Sequence, residues 1–216
     1  MNKFSFVPLI QGTETTDYVH ICLSLSNGEL STEAMDEPQL MHEHIKTFLS
    51  DQGKSIAYGG YLEERSLYNR SSHFQSQHHK RNIHLGIDFW CDENRGVCCP
   101  INGVVHSFKD NENFGDYGPT IILEHTYKKS RFYTLYGHLT RESLKDKNKG
   151  QQIKKGAVFA RIGEAAVNGN YAPHLHFQVI KDLEGKQGDY PGVCSAEELS
   201  FYKKNCPDPL LFKALE

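Results

Sequence analysis

The sequence has little net charge and no long hydrophobic run. Its 216 residues carry 24 lysines and arginines against 27 aspartates and glutamates, a formal net charge of −3. Such a balanced chain gives no reason to expect nucleic acid or a membrane as a partner. No stretch approaches the roughly 20 apolar residues that a membrane span needs. The hydrophobic start is interrupted by Ser5 and Pro8 and does not read as a signal peptide. We therefore expect a cytoplasmic protein.

Cysteine is present but never in the Cys-x-x-Cys spacing of a cysteine metal site. The six cysteines are Cys22, Cys91, Cys98, Cys99, Cys194 and Cys206. In a reducing compartment they would be small buried hydrophobic residues. A disulfide between Cys194 and Cys206 is the alternative for an oxidising compartment.

The most informative motif is a pair of histidines, His174 and His176, in a run that reads as a β-strand starting after Pro173. Successive side chains of a strand point to opposite faces, so these two imidazoles share a face about 7 Å apart. That separation suits one metal ligand and one catalytic neighbour. On its own, the pair is explained equally well by surface or core histidines.

Two further motifs favour chemistry. His84 and Asp88 flank Leu85-Gly86-Ile87 in a run that reads as strand rather than helix. A straight strand would separate the pair by about 13 Å, too far for a shared metal, so we predict a bend at Gly86. The other motif is Tyr136-Gly137-His138-Leu139, which places a histidine at the end of an apolar run.

In this order, the motifs His-x-x-x-Asp, Tyr-x-His-Leu and His-x-His resemble those of the lysostaphin-like and LytM-like zinc endopeptidases. The resemblance implies one zinc ion per chain, held by His84, Asp88 and His176. It also implies that His138 and His174 are the catalytic histidines, without assigning which one acts as the base and which stabilises the oxyanion.

The chain also departs from the family pattern. Many members carry Ser-Thr-Gly-Pro before the paired histidines, where this chain has residues 170–173, Asn-Tyr-Ala-Pro. Many carry glutamate where this chain has Gln178. These departures leave the implied metal ligands intact and put the usual substrate of the family in doubt.

The implied ligands make chemical sense. Two imidazoles and one carboxylate with an open fourth position are typical of catalytic zinc, which activates water and polarises a carbonyl. Histidines that titrate near neutrality can transfer the protons.

The predicted function is that of a zinc metallo-endopeptidase acting on a peptidoglycan-type or related peptide. The alternatives are a cytosolic zinc amidase acting on a small peptide or amide, and a non-catalytic binding module. The complete ligand set argues against the binding module. The sequence does not indicate an oligomeric state.

Short β-like runs separated by glycines indicate the fold. They are residues 104–108, 120–124, 131–136 and 157–162. With the resemblance, they predict an α+β fold whose β core is predominantly antiparallel, a lysostaphin-like β-hairpin sandwich. We predict one domain in three parts: an N-terminal elaboration, 1–80, the zinc endopeptidase core, 81–181, and a C-terminal extension, 182–216.

The two elaborations carry weaker signals. Alternation predicts a strand over 19–25, helical spacing predicts a helix over 38–49, and polar residues 66–80 predict a loop. Residues 58–65 could flank the substrate cleft, although structural packing is the favoured interpretation. A helix is predicted over 195–204 with Ser195 as its N-cap. The turn-rich tail around it is expected to pack against the core without a role in chemistry.

Overall fold

The computed structural model describes residues 8–24, 37–65 and 81–210. Within these ranges the chain forms twelve strands and two α-helices. The strands are β1 Tyr18–His20, β2 Ile56–Gly59, β3 Ile83–His84, β4 Ile87–Trp90, β5 Gly96–Cys98, β6 Gly103–Asn111, β7 Gly118–Tyr127, β8 Ser130–Gly137, β9 Gln152–Ile153, β10 Val158–Arg161, β11 His174–Ile180 and β12 Val193–Cys194. The helices are α1 Pro38–Gln52 and α2 Leu199–Asn205.

One large sheet organises the molecule. It contains eight strands in the order β1-β2-β4-β11-β8-β7-β6-β9. The pair β1–β2 is parallel, and the other neighbours in this sheet are antiparallel. Two small antiparallel sheets, β5–β10 and β3–β12, lie beside it. This strand-rich, mainly antiparallel architecture confirms the predicted fold class.

The central strand β11 separates the hydrophobic core from the histidine face. All seven of its residues are buried. Leu175 and Phe177 point into the largest hydrophobic cluster. Since side chains alternate along a strand, His176 and Gln178 face the other side. That side is covered by a second cluster, which includes Tyr190 of the C-terminal extension.

Both elaborations pack on the strands of the site. In the N-terminal elaboration, β2 pairs with β4, and Met41 and Ile45 of α1 join Trp90 of β4 in a third hydrophobic cluster. In the C-terminal extension, β12 pairs with β3. Among the described residues, no helix is long and apolar enough to cross a membrane.

The predicted elements outside the core are partly correct. The helix predicted over 38–49 is confirmed as α1, which ends where Gly53 takes a left-handed conformation at φ 60 and donates to the carbonyl of Leu49. The strand predicted over 19–25 was too long, because the Leu23 N–H donates to the side chain of Glu63 at 2.8 Å instead of joining a ladder. Leu25 and the loop predicted over 66–80 lie outside the described residues.

The predicted helix at 195–204 starts later than expected. Ser195 and Glu198 form the reciprocal contacts of a capping box, in which the Ser195 N–H donates to the Glu198 carboxylate at 3.1 Å. Residues 196–198 nevertheless form a turn, and α2 begins only at Leu199. The capping contacts of Ser195 therefore form about one helical turn before the first residue of α2.

Candidate active site

Strand register brings Asp88 and His176 together. The two residues are direct partners across the antiparallel pair β4–β11. His84 comes from β3, which belongs to a different sheet, so the chain bends between His84 and Asp88 as predicted. Gly86 lies at this bend, and a side chain there would overlap the ring of His176. Glycine is therefore required for space beside His176, in addition to permitting the bend.

Three donor atoms converge at this point. His84 Nε2 lies 2.9 Å from His176 Nδ1 and 3.3 Å from Asp88 Oδ1. His176 Nδ1 lies 3.1 Å from the same Asp88 oxygen. Ligand atoms about 2.0–2.1 Å from a tetrahedral zinc ion lie roughly 3.3 Å from each other. The spacing and the chemistry of this donor set therefore fit a zinc ion.

Hydrogen bonds behind the two imidazoles fix which nitrogen faces the shared point. The Nδ1–H of His84 donates to the carbonyl of Gly60 at 2.9 Å, which leaves Nε2 available. The Nε2–H of His176 donates to Oε1 of Gln178 at 3.0 Å, which leaves Nδ1 available. Gln178 is oriented by its own amide, which donates to the carbonyl of Pro191 at 3.1 Å. Partners of this kind orient metal-binding histidines in proteins generally.

The charge states also suit a cation. Burial alone would raise the pKa of Asp88, but His84, which carries a charge in acid, and Arg65 bring it well below its usual value. The carboxylate is therefore ionised at neutral pH. Burial lowers the pKa of His84, so this imidazole is neutral and has a lone pair to offer.

The structure places the other two predicted histidines next to this cluster. His174 Nε2 lies 3.9 Å from Asp88 Oδ1, and the rings of His138 and His174 have centroids 4.2 Å apart. His138 follows the end of β8 in a left-handed conformation with φ 60, which is uncommon for a residue other than glycine. All five predicted site residues therefore lie together.

Each of these two rings also has one nitrogen fixed by a carbonyl. His138 Nδ1 donates to the carbonyl of Asn168 at 2.7 Å, and His174 Nδ1 donates to that of Ala172 at 2.7 Å. Burial and the neighbouring His174 and His176 lower the pKa of His138 well below its usual value. Burial lowers the pKa of His174 to about 4. At neutral pH both rings are uncharged, and Nε2 of each is a proton acceptor.

The five residues line a cleft of about 220 Å³. Aromatic residues Trp90, Tyr117 and Tyr171 contribute to its walls. One wall comes from the C-terminal extension, through Lys186, Asp189, Tyr190, Pro191, Gly192 and Val193. The expectation that this tail packs against the core was incomplete, because β12 pairs with β3 and so carries the preceding residues to the cleft.

Sequence reasoning missed Arg65 and undervalued Gln178. Arg65 is buried, lines the cleft and contacts Asp88. The predicted packing role of residues 58–65 was therefore incomplete. Gln178 was noticed only as a departure from a family pattern, although its position two residues after His176 on one strand face was a usable signal.

Two imidazoles and one carboxylate beside an open cleft are the ligand set of catalytic zinc sites in hydrolases. The sequence profile described as Peptidase family M23 matches residues 82–189, half of the chain, and the chain belongs to this family. It is accordingly a peptidase of the lysostaphin-like metallo-endopeptidase class, as predicted. The family match nearly coincides with the predicted core, 81–181, whose boundaries stay a prediction.

Solved structures of several peptidases are similar to this chain. The catalytic domain of lysostaphin from Staphylococcus simulans is 21% identical, with a TM-score of 0.40, over 56% of this chain and 80% of that one. A mutant catalytic domain of the prophage-encoded M23 protein EnpA from Enterococcus faecalis is 18% identical, with a TM-score of 0.40, over 49% and 74% of the two chains. A zinc containing peptidase from Vibrio cholerae is 31% identical, with a TM-score of 0.36, over 45% of this chain and 27% of that one. No curated protein matches the chain.

Proposed function

We propose that this protein is a zinc-dependent endopeptidase that holds one zinc ion through His84, Asp88 and His176. The observation that carries the proposal is the convergence of three ligand atoms, all within 4.8 Å of one another, at a buried point beside the cleft. Nitrogen and carboxylate donors in this combination suit zinc better than calcium or magnesium, which prefer oxygen ligands alone.

When bound, zinc would lower the pKa of a water to about 7 and polarise the peptide carbonyl. The residues of the chain supply proton transfer. Nε2 of His138 or His174 accepts a proton from the attacking water, because Nδ1 of each ring already carries its hydrogen. The protonated imidazole then returns that proton to the leaving amine nitrogen as the carbon–nitrogen bond breaks. Removal of either ring would therefore slow turnover without removing a metal ligand.

The proposed substrate is a peptidoglycan-type or related peptide. Charged side chains of both signs line the cleft, with Arg81 and Lys186 as cations and Asp116 and Asp189 as anions. These residues can pair with the carboxylate and amino groups of a charged peptide. Tyrosine and tryptophan rings in the same walls offer apolar contact to its side chains.

A second candidate is a zinc amidase that acts on a small peptide or amide. The observation that favours it is the share of the cleft lining that comes from the C-terminal extension, which contributes Lys186 and residues 189–193. A methyl group at Gly192 would overlap the Tyr117 hydroxyl, so these two lining residues are in close contact. The proposal of a non-catalytic binding module is disfavoured, because His138 and His174 would have no role in it.

We also propose that the protein works in a reducing compartment such as the cytoplasm. The six cysteines, all within the described ranges, form no disulfide in this structure. Cys206 accepts a hydrogen bond from Gln178 at 3.2 Å, and Gln178 supports His176. The Cys206 thiol is thus one of the contacts that hold Gln178 and, through it, His176.

The test is a hydrolysis assay on the full chain, stripped with a chelator and then loaded with one equivalent of Zn²⁺. Three substrate sets are compared: cell-wall stem and cross-bridge peptides, glycine-rich peptides, and small amides. New amino groups should appear with a peptide set, only after Zn²⁺ is added, and should disappear in His138→Ala. Turnover of small amides alone would favour the amidase. Absence of hydrolysis in all three sets by protein that binds Zn²⁺ would contradict the proposal.

A further inference from the structure

Some of the residues that contact the proposed zinc ligands lie outside the segment that matches the family. Residues 60–65 precede the matched segment, 82–189, yet they contact two of the three proposed ligands. The Gly60 carbonyl accepts from His84, and Arg65 donates to Asp88. This segment therefore belongs to the site rather than only to the fold.

Arg65 contacts one oxygen of Asp88 and leaves the other to the imidazoles. Its Nη1 lies 2.5 Å from Asp88 Oδ2. Asp88 Oδ1 instead faces His84 Nε2 at 3.3 Å and His176 Nδ1 at 3.1 Å. The two oxygens of one carboxylate thus have separate partners, and only Oδ1 points to the proposed metal position.

The guanidinium is itself held firmly. Arg65 Nε lies 2.6 Å from Oε2 of Glu63, and the other Glu63 oxygen accepts from the Leu23 N–H at 2.8 Å. The Arg65 side chain is 2% exposed and that of Glu63 is 9% exposed. The main chain of Arg65 donates to the Asn82 carbonyl at 3.0 Å. Gly60, with φ 107, leaves room for the guanidinium, which a side chain there would displace.

Glu63 also offsets the repulsion that the Arg65 charge would otherwise exert on a metal cation bound nearby. Its negative charge balances that of Arg65, so the buried pair adds no net charge next to the site. Asp88 retains its full charge for the metal. An uncompensated buried cation would instead repel the ion through a medium of low dielectric constant.

We propose that Arg65 is a positioning residue for the zinc site: it holds Asp88 Oδ2, so that Oδ1 alone is presented to the ion. The proposal rests on the proposed function, since it concerns the same ligands. A planar fork that reaches two carboxylates at once is a property of arginine, and the single ammonium of lysine cannot reproduce it.

The test measures metal binding in the full chain with Zn²⁺ and Co²⁺ as the probes. Arg65→Gln, Arg65→Lys and Glu63→Gln are compared with the parent. Arg141→Gln is the matched control, because it removes an arginine–aspartate pair with Asp110 on the surface, at 2.8 Å. The Zn²⁺ dissociation constant is measured by competition with a coloured chelator, and the visible spectrum of the Co²⁺ form reports the coordination of the ion. Thermal unfolding of the metal-free proteins shows which variants are folded.

Arg65→Gln should weaken Zn²⁺ binding about 10- to 100-fold, as loss of a ligand-supporting contact does elsewhere. Its Co²⁺ spectrum should weaken, because a released Asp88 can offer both oxygens and raise the coordination number. Arg65→Lys should restore only part of the affinity, and Glu63→Gln should weaken binding although Arg65 remains. Arg141→Gln should match the parent in both readouts. If Arg65→Gln does not fold, Arg65→Lys and Glu63→Gln decide the question.

Two results would overturn the proposal. Unchanged affinity and an unchanged Co²⁺ spectrum in folded Arg65 variants would make the contact merely structural. Tighter Zn²⁺ binding in Arg65→Gln would mean that the guanidinium competes with the ion for Asp88. A parent protein that binds no Zn²⁺ would instead contradict the proposed function itself, so the two failures are distinguishable.

Discussion

Replacement of Gln178 by leucine is expected to damage both stability and metal binding. Gln178 is completely buried, and its amide makes three contacts, with His176, Pro191 and Cys206. Leucine has a similar size but can make none of them. The His176 Nε2–H and the Pro191 carbonyl would lose these partners. A buried polar group without a partner costs about 1–3 kcal/mol, and Pro191 is only half-buried, so the unfolding free energy should fall by about 2–4 kcal/mol.

The same substitution should loosen the imidazole that offers Nδ1 to the metal. Loss of such a supporting partner typically reduces metal affinity about 10- to 100-fold. Gln178→Glu tests the cause, because a carboxylate still accepts from His176 but cannot donate to Pro191 unless it is protonated. We expect it to keep most of the Zn²⁺ affinity and to lose stability. Gln152→Leu, at an exposed position of β9, is the matched control.

Denaturant unfolding of the metal-free protein and a Zn²⁺ competition titration measure the two effects separately. Gln178→Leu that loses stability but binds Zn²⁺ within twofold of the parent would refute the argument. That result would show that His176 needs no hydrogen-bonded support to act as a ligand.

Three further outcomes are expected. His138→Ala and His174→Ala should retain one Zn²⁺ and lose about a hundredfold or more in turnover, whereas His176→Ala should lose both, as metal analysis and the peptide assay would show. The metal-free protein should lose stability in acid. Burial lowers the pKa of His125 and lowers that of His174 to about 4. Below the ordinary histidine pKa of 6.5, the unfolded state therefore binds more protons than the folded state does. The denaturant midpoint should therefore be steady above pH 7 and fall from about 6.5 downward. Thiol titration should find six reactive thiols in the unfolded protein and slow reaction of Cys206 in the native one, because burial raises its pKa to about 12.

Each of these expectations has a contrary result. Loss of Zn²⁺ from His174→Ala with retention in His176→Ala would reverse the assignment of the pair. A denaturant midpoint that stays constant from pH 7 to pH 5 would show that the buried histidines do not couple folding to protons. Fewer than six thiols in unfolded protein isolated from its own cell would indicate a disulfide and remove support for a reducing compartment.

The five candidate site residues could be named from the sequence because short local motifs carry them and the family resemblance joins those motifs. Alternation along β11 places His174 and His176 on one face. A straight strand would hold His84 and Asp88 too far apart to share a metal, which predicts the bend before Asp88. The full reason for Gly86 was not predictable. The His176 ring that fills the space beside it arrives from a strand far along the chain, and nothing in the local sequence indicates that contact.

The contacts that support the site were not predictable for a similar reason. Arg65 lies 23 residues before Asp88, and the intervening chain has no periodic pattern that would bring them together. The same holds for the tail, whose turn-rich composition indicates loops but not which surface they cover. Binary patterns predict faces of elements, whereas pairs of this kind depend on how the elements pack.

The most direct test is anomalous diffraction at the zinc absorption edge from crystals of the full chain grown with one equivalent of Zn²⁺. The proposed function predicts one strong peak per chain, within bonding distance of His84 Nε2, Asp88 Oδ1 and His176 Nδ1. His138 and His174 should lie beside the peak without binding it. A peak bound by His138 or His174 in place of His176, or a site of zinc away from these residues, would contradict it.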